Sequence, residues 1–305
     1  MTEHARHSEA LDHAEAAAAD AASDEKAEVL SRSKAKPGKP AKGARKTGGL
    51  LGRRKDWTEF EVHGWLTNFN SVEFGLYKHK RNMAKSRQFS TDMDIIAEVK
   101  TGGERTGLLG YREELWTKQS GMDKRLVMKL FSSEVNWQAS MDLMLGRSLQ
   151  LTLGARGLPV TAFSLNLGDH EQVVCLERSA NKWPGMPENF SFFLLKDGRP
   201  KFYRLRKDLI AIGDDYTLYD EHGKMCGILD GRVLNLGGKW VVKISPEHAD
   251  KQLDMVLKLF CGMLLFNDDV RHHLVDLAAD VMKGKFVPKL EKQEADLYMN
   301  PRRVR

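Results

Sequence analysis

The stretch from Met255 to Phe266, MVLKLFCGMLLF, constrains the fold more than any other part of the chain. It has helix-forming composition, and Lys258 is its only charged residue. A helix that is apolar nearly all round has to be surrounded by protein or by lipid. Twelve residues at about 1.5 Å each span roughly 18 Å, too short for a bilayer core of about 30 Å. The helix is therefore expected inside protein. Laid on one face of an open sheet, it would leave several of Leu257, Leu259, Phe260, Leu264 and Phe266 in water. A sheet closed around it removes that exposure and the loose sheet edges together.

The sequence just before it supplies such a sheet. From Phe202 to Ile244, short apolar bursts alternate with turn signals, each burst too short for a helix. FYRLR alternates, placing Tyr203 and Leu205 on one face and Phe202, Arg204 and Arg206 on the other. YTLYD follows, and Asp220-Glu221-His222-Gly223 reads as a hairpin loop in which Gly223 supplies a positive φ. KMCGIL returns, Asp230-Gly231 is expected to turn, and Gly237-Gly238 leads into KWVVKI. Upstream, WTEFEVHGWL, DMDIIAEVK, RLVMKLF, SLQLTLGARGLPVTAFSL, EQVVCLE and FSFFLL read as further strands. GYREELWTKQ and SEVNWQASMDLML are ambiguous and are kept as possible short helices. After the meander, one helical pattern runs from about His248 to Lys283, with Ser245 as its expected cap and Pro246 in the first helical position. The class is mainly β (α+β), a closed antiparallel barrel or sandwich around a C-terminal hydrophobic helix.

Charge divides the chain differently. Residues 1–30 hold eight acidic and two basic side chains, whereas 31–55 hold ten basic and no acidic ones. The formal net charge of +6 is therefore concentrated in the leader. Residues 1–55 read as a disordered acidic-then-basic arm, 56–285 as the folded domain and 286–305 as a polar tail. The arm is either a solubilising tail or an electrostatic contact for anionic lipid or nucleic acid. Cys175, Cys226 and Cys261 are too few and too scattered for a disulfide framework or a zinc motif. No secretory signal and no span of 18 or more apolar residues is present, so the expected location is the cytoplasm, peripheral at a membrane.

FYRLRKDLIAIGDDYTLYDEHGKMCGILDG, followed by KWVVKI and the apolar helix, resembles the tubby-like superfamily. Within it, the resemblance is to the LURP-one-related branch, a relative of the phospholipid scramblases. It rests on the turn Ile212-Gly213-Asp214, the aromatic-led strand ending in Asp220-x-x-Gly223, and the strand leading into the helix. It covers Phe202 to Phe266. It implies about twelve antiparallel strands with the helix threaded through them, and binding of phospholipid headgroups on a basic surface. The scramblases' cysteine cluster and membrane-spanning C-terminal segment are missing, which argues against lipid scrambling.

Two basic segments are the candidate lipid or phosphate contacts. One holds Lys78, Lys80, Arg81, Lys85 and Arg87, and the other Arg199, Lys201, Arg204, Arg206 and Lys207. Each is otherwise a solvated loop or strand face. Catalytic candidates are weaker. Asp214 and Asp215 read as a turn satisfying its own backbone, and Asp268 and Asp269 as a helix cap or break. His272 and His273 point about 100° apart on a helix and share a metal poorly. Cys226 and Cys261 read as buried small residues. No nucleotide-binding or zinc-protease motif occurs, so neither enzyme activity nor a cofactor is expected. The expected function is a binding module for anionic phospholipid headgroups. The alternative is a scaffold that binds protein, or less readily nucleic acid, through the arm.

Overall fold

The computed structural model describes residues 57–64, 89, 93–168, 170–180, 186–208, 215–232 and 238–285. Among these, twelve strands form a closed antiparallel barrel in which each strand pairs with its sequence neighbours and the first pairs with the last. In order these are β1 (Thr58–Gly64), β2 (Met93–Thr101), β3 (Glu104–Arg112), β4 (Val127–Ser132), β5 (Trp137–Leu143) and β6 (Ala162–Leu167). They continue as β7 (Val173–Arg178), β8 (Asn189–Lys196), β9 (Arg199–Lys207), β10 (Tyr216–Asp220), β11 (Met225–Arg232) and β12 (Lys239–Ile244). Closure runs through β1 and β12, from Thr58 opposite Ile244 to His63 opposite Lys239.

The interior is filled by α3 (Lys251–Leu264), the helix expected from the apolar stretch. Every residue from Met255 to Leu264 except Lys258 is buried, on all sides of the helix. The Phe260 ring meets Phe190 of β8 and Tyr216 of β10 edge-on, at 5.0 and 5.2 Å between centroids. On another side, a Cβ built on Gly262 would lie 2.6 Å from Met128 Cε and 3.1 Å from Leu109 Cδ1, so a side chain here requires the end of Met128 to shift. Lys258 keeps its ammonium on Asp254, one turn back, and lies over the Phe60 ring at 5.1 Å. The wall outside β1 and β12 is charged, with Lys239 on Glu61 at 2.9 Å and Lys243 on Glu59 at 3.1 Å. Apolar inside and charged outside is the reverse of a barrel whose wall faces lipid.

A buried ionic cluster ties the wall to the end of the helix. Arg178 at the end of β7 pairs with Glu188, and both side chains are less than a tenth exposed. Glu188 also accepts from the Tyr216 hydroxyl at 2.7 Å and from Asn267 Nδ2 at 3.3 Å. Burial alone would raise the Glu188 carboxyl, yet the Arg178 charge and the Tyr216, Arg178 and Asn267 hydrogen bonds hold it below the usual range.

Several expectations change. SEVNWQASMDLML is largely strand β5, and the ambiguity in GYREELWTKQ resolves into the end of β3 and the short helix α1 (Glu113–Thr117). SLQLTLG, expected as strand, is α2 (Leu145–Gly154), because Leu145, Ser148, Leu149 and Thr152 bury one helical face. Asp230-Gly231 does not turn. Both residues lie inside β11, paired with Val241 and Trp240, and the Gly231 N–H donates to Asp215 Oδ1 at 2.7 Å. The helix cap is Asp250, which accepts from Leu253 N at 2.8 Å, because residues 246–248 form a turn ahead of it. The single long helix is two: after Leu265 and Phe266 the chain enters α4 (Asn267–Met282), with Asp268 and Asp269 in its first turn. There the carboxylates meet the positive end of the helix dipole. The turn at Asp220–Gly223 forms as expected, with Gly223 at φ +72°. Cys226 and Cys261 are buried.

Candidate functional site

The outward face of β7 to β10 departs from the charged wall elsewhere. In the β8–β9 hairpin, Leu195 lies opposite Pro200, Phe193 opposite Phe202, Ser191 opposite Arg204, and Asn189 opposite Arg206. All eight sit at outward positions, because Phe190, Phe192, Leu194, Tyr203 and Leu205 between them are buried. The face is thus ordered along the strands, with apolar rows beside the hairpin turn and cationic rows at the other end. Phe202 is 53% exposed, Leu195 43% and Phe193 37%, which makes this pair of strands the place where large apolar side chains gather in water. The Phe193 and Phe202 rings touch, 5.6 Å between centroids.

Ser191, Phe193, Phe202, Arg204 and Arg206 of these rows form one wall of a groove of about 1000 Å³, to which Tyr219 of β10, the turn residues Glu221 to Gly223, Cys175 and Glu177 of β7 and Arg147 of α2 also contribute. The groove exists because β7 and β8 splay. They pair only at Glu177–Ser191 and Arg178–Phe190. Further along, the Gln172 side chain fills the gap, donating to Phe193 O at 3.0 Å and accepting from Leu195 N at 2.7 Å. Replacing Gln172 with alanine removes two side chain–backbone bonds in a partly exposed seam. It is expected to cost about 1 kcal/mol, read as a lower urea midpoint with an unchanged m-value.

Electrostatically, the acids that line the groove are engaged. Glu177 holds Arg147 at 2.5 Å. Asp220 Oδ1 accepts from the amides of His222 and Lys224 at 3.0 and 2.8 Å. The side chains of Arg199, Arg204 and Arg206 make no hydrogen bond or ion pair among the described residues, unlike Arg147 across the groove and Lys239, Lys243 and Arg105 elsewhere on the wall. Lys201 faces the opposite way, toward His248, whose imidazole is held below its ordinary range by burial first and then by the Lys201 charge. Lys207 ends β9, its N–H bonded to Glu188 O at 2.8 Å. Of the second basic segment, then, Arg204 and Arg206 reach the groove, and Arg199 lies at the hairpin turn opposite Lys196. Lys78, Lys80, Arg81, Lys85 and Arg87 lie outside the described residues, as do the arm, the polar tail, Ile212, Gly213 and Asp214.

Beside the groove the Tyr203 hydroxyl meets His248 Nδ1 at 3.2 Å, and His248 Nε2 lies 3.8 Å from Asp220 Oδ2. Cys226 sits nearby, but burial and Asp220 push its thiol up to about 12. It stays protonated at neutral pH, as a packed side chain does. Cys175 opens on the groove and is likewise pushed up, by desolvation and then by Glu177, against the pull of Arg147. His273 shares no site with His272; its Nε2 donates to Gly121 O at 3.0 Å. Among the described residues no group of three or more His, Cys, Asp and Glu side chains is placed to hold a metal.

Reading the sequence alone misses Phe193, Leu195, Tyr219, Arg147 and Gln172. One signal for the first two was present. FSFFLL breaks the alternation at Phe193 and Leu195, so this strand is apolar on both faces.

The fold and the face define a closed barrel around a helix, with an amphipathic outer patch over a groove. No described helix is long and apolar enough to cross a membrane. Comparison with protein families, with curated proteins and with solved structures finds no match in any of the three.

Proposed function

We propose that the chain is a non-enzymatic binding module that engages anionic phospholipid headgroups at a membrane surface, with Arg204 and Arg206 as the phosphate contacts. The observation that carries this reading is the pair of outward arginines without a carboxylate partner among the described residues, set beside exposed phenylalanines over a groove. Guanidinium groups suit phosphate because they offer planar, paired donors. A cation left unpaired beside an apolar patch marks a surface with a use outside the molecule. We extend the same proposal to kinship: the tubby-like, LURP-one-related resemblance fits a barrel that reads phosphate on its outer wall.

The test is cosedimentation of the full chain with phosphatidylcholine vesicles with and without anionic lipid, near physiological salt. Each arginine close to an anionic surface contributes about 1 kcal/mol, so Arg204→Gln/Arg206→Gln should weaken binding about thirty-fold. Unchanged binding by the double variant would remove these residues from the contact and the reading with them.

A further inference from the structure

Resting on that reading, we infer that the hairpin end of the same face, Phe193, Leu195, Pro200 and Phe202, enters the acyl boundary of an anionic bilayer and so fixes how the barrel lies on it. The order of the rows carries this. At the outward positions between the turn pair Lys196/Arg199 and the far end of the hairpin, apolar and cationic side chains are not interspersed, as on an ordinary wet sheet, but stacked. Leu195/Pro200 come first, Phe193/Phe202 next, then Ser191/Arg204 and Asn189/Arg206. Two residues along a strand span about 6.8 Å, and side chains at an amphipathic interface bury about 5–10 Å into the headgroup and acyl boundary. With Phe202 at the acyl edge, Arg204 on the same strand therefore stands at phosphate depth and Arg206 one step further out. A flat headgroup contact through the arginines alone would leave the phenylalanines in water.

The patch also contrasts with the rest of the wall. On the far side of the barrel, Met93, Ile95, Leu108 and Phe131 form a second apolar cluster, and there Phe89 and Trp137 cover it. Phe193, Leu195 and Phe202 stay open to solvent. Their partner has to be apolar where it meets them and anionic one step along the strand. A bilayer containing acidic lipid has that layering at every point of its surface. The negative side chains that line the groove beside the patch, Glu177, Asp220 and Glu221, lie on β7, at the end of β10 and in the turn after it, rather than in the apolar rows.

The test uses the full chain and two probes: vesicles of phosphatidylcholine with about 30 mol % phosphatidylserine, and monomeric dihexanoyl phosphatidylserine, which offers the headgroup without a bilayer. Phe193→Ser/Phe202→Ser, with Leu195→Ser as a second variant, should bind vesicles roughly thirty-fold more weakly, from lost burial of two half-exposed rings. Their affinity for the soluble lipid should fall far less than their vesicle binding, and their thermal unfolding should drop only by the loss of one cross-strand ring pair; an equal loss on both probes would overturn the insertion. Arg204→Gln/Arg206→Gln should lose both. Vesicle binding by the Ser variants equal to that of the parent chain overturns the insertion while leaving the headgroup reading standing. A parent chain that binds neither probe overturns both. Unchanged vesicle binding together with a shift from dimer to monomer in the Ser variants overturns the insertion and assigns the patch to a second copy of the chain.

Discussion

Glu188→Ala is expected to destabilise the barrel by about 3–5 kcal/mol, the cost of leaving a buried charge without its partner. Against a typical total of about 5–15 kcal/mol, that is a large fraction of the fold's stability. The carboxylate is the hub of its cluster. Its removal strands Arg178, 6% exposed, and takes the acceptor from the Tyr216 hydroxyl and from Asn267 at the start of α4. Urea unfolding at pH 7 measures the loss. Acid provides an independent check with a definite sign. The folded-state carboxyl lies below its unfolded value, so its contribution is complete above the unfolded value of about 4.3 and is lost as pH falls through the folded one. The gap between parent and variant should therefore narrow below about pH 4. Equal stability at pH 7 would mean that the cluster does not hold in solution. Replacing Arg178 and Glu188 together by methionine separates the net worth of the pair from the cost of breaking it. The double variant should recover most of the loss.

How much of this could be read in advance depended on whether the deciding forces were local. The barrel follows from α3, because a helix with Met255, Val256 and Leu257 on different sides, all apolar, admits few surroundings. The Asp220–Gly223 turn follows from one residue needing φ +72°. The alternation of FYRLR placed Arg204 and Arg206 outward, where they are. Asp230-Gly231 misled because the dipeptide is a strong hairpin signal in isolation. In the fold the Gly231 N–H finds Asp215, and β11 continues alongside β12. SLQLTLG alternates like a strand, yet Ser148 and Thr152 are satisfied on a buried helical face, by Met144 O and by the backbone at Val160 and Ala162. Those partners lie up to fourteen residues away, beyond any local pattern. The groove is less legible still. Arg147 meets Glu177 across thirty residues, and Gln172 meets Leu195 across twenty-three. Neither pairing leaves a trace in sequence spacing. They arise from the splay of β7 from β8, a property of the closed sheet as a whole.

Phe260→Ala is expected to cost about 3–5 kcal/mol, as other buried Phe truncations do. The ring is fully buried inside the barrel and packs against two neighbouring rings of the wall, Phe190 on β8 and Tyr216 on β10. A closed sheet cannot fold inward to fill the space as a surface helix can, so the cavity should persist and the loss should fall toward the upper part of that range. Tyr216 couples this site to the Glu188 cluster, since its ring packs on Phe260 while its hydroxyl donates to Glu188. Phe260→Ala and Glu188→Ala should therefore combine for less than the sum of their separate costs, because contacting sites with a shared partner are not additive. Gly262→Ala probes the opposite error at the same depth. Alanine gains up to about 1 kcal/mol in helix propensity, but its Cβ meets Met128 Cε at 2.6 Å, so a net loss is the expected sign. If Phe260→Ala instead cost under about 1 kcal/mol, the helix would not be gripped by the barrel wall, and the outer face of β8 to β10 would lose the rigid backing that keeps its apolar and cationic rows in register.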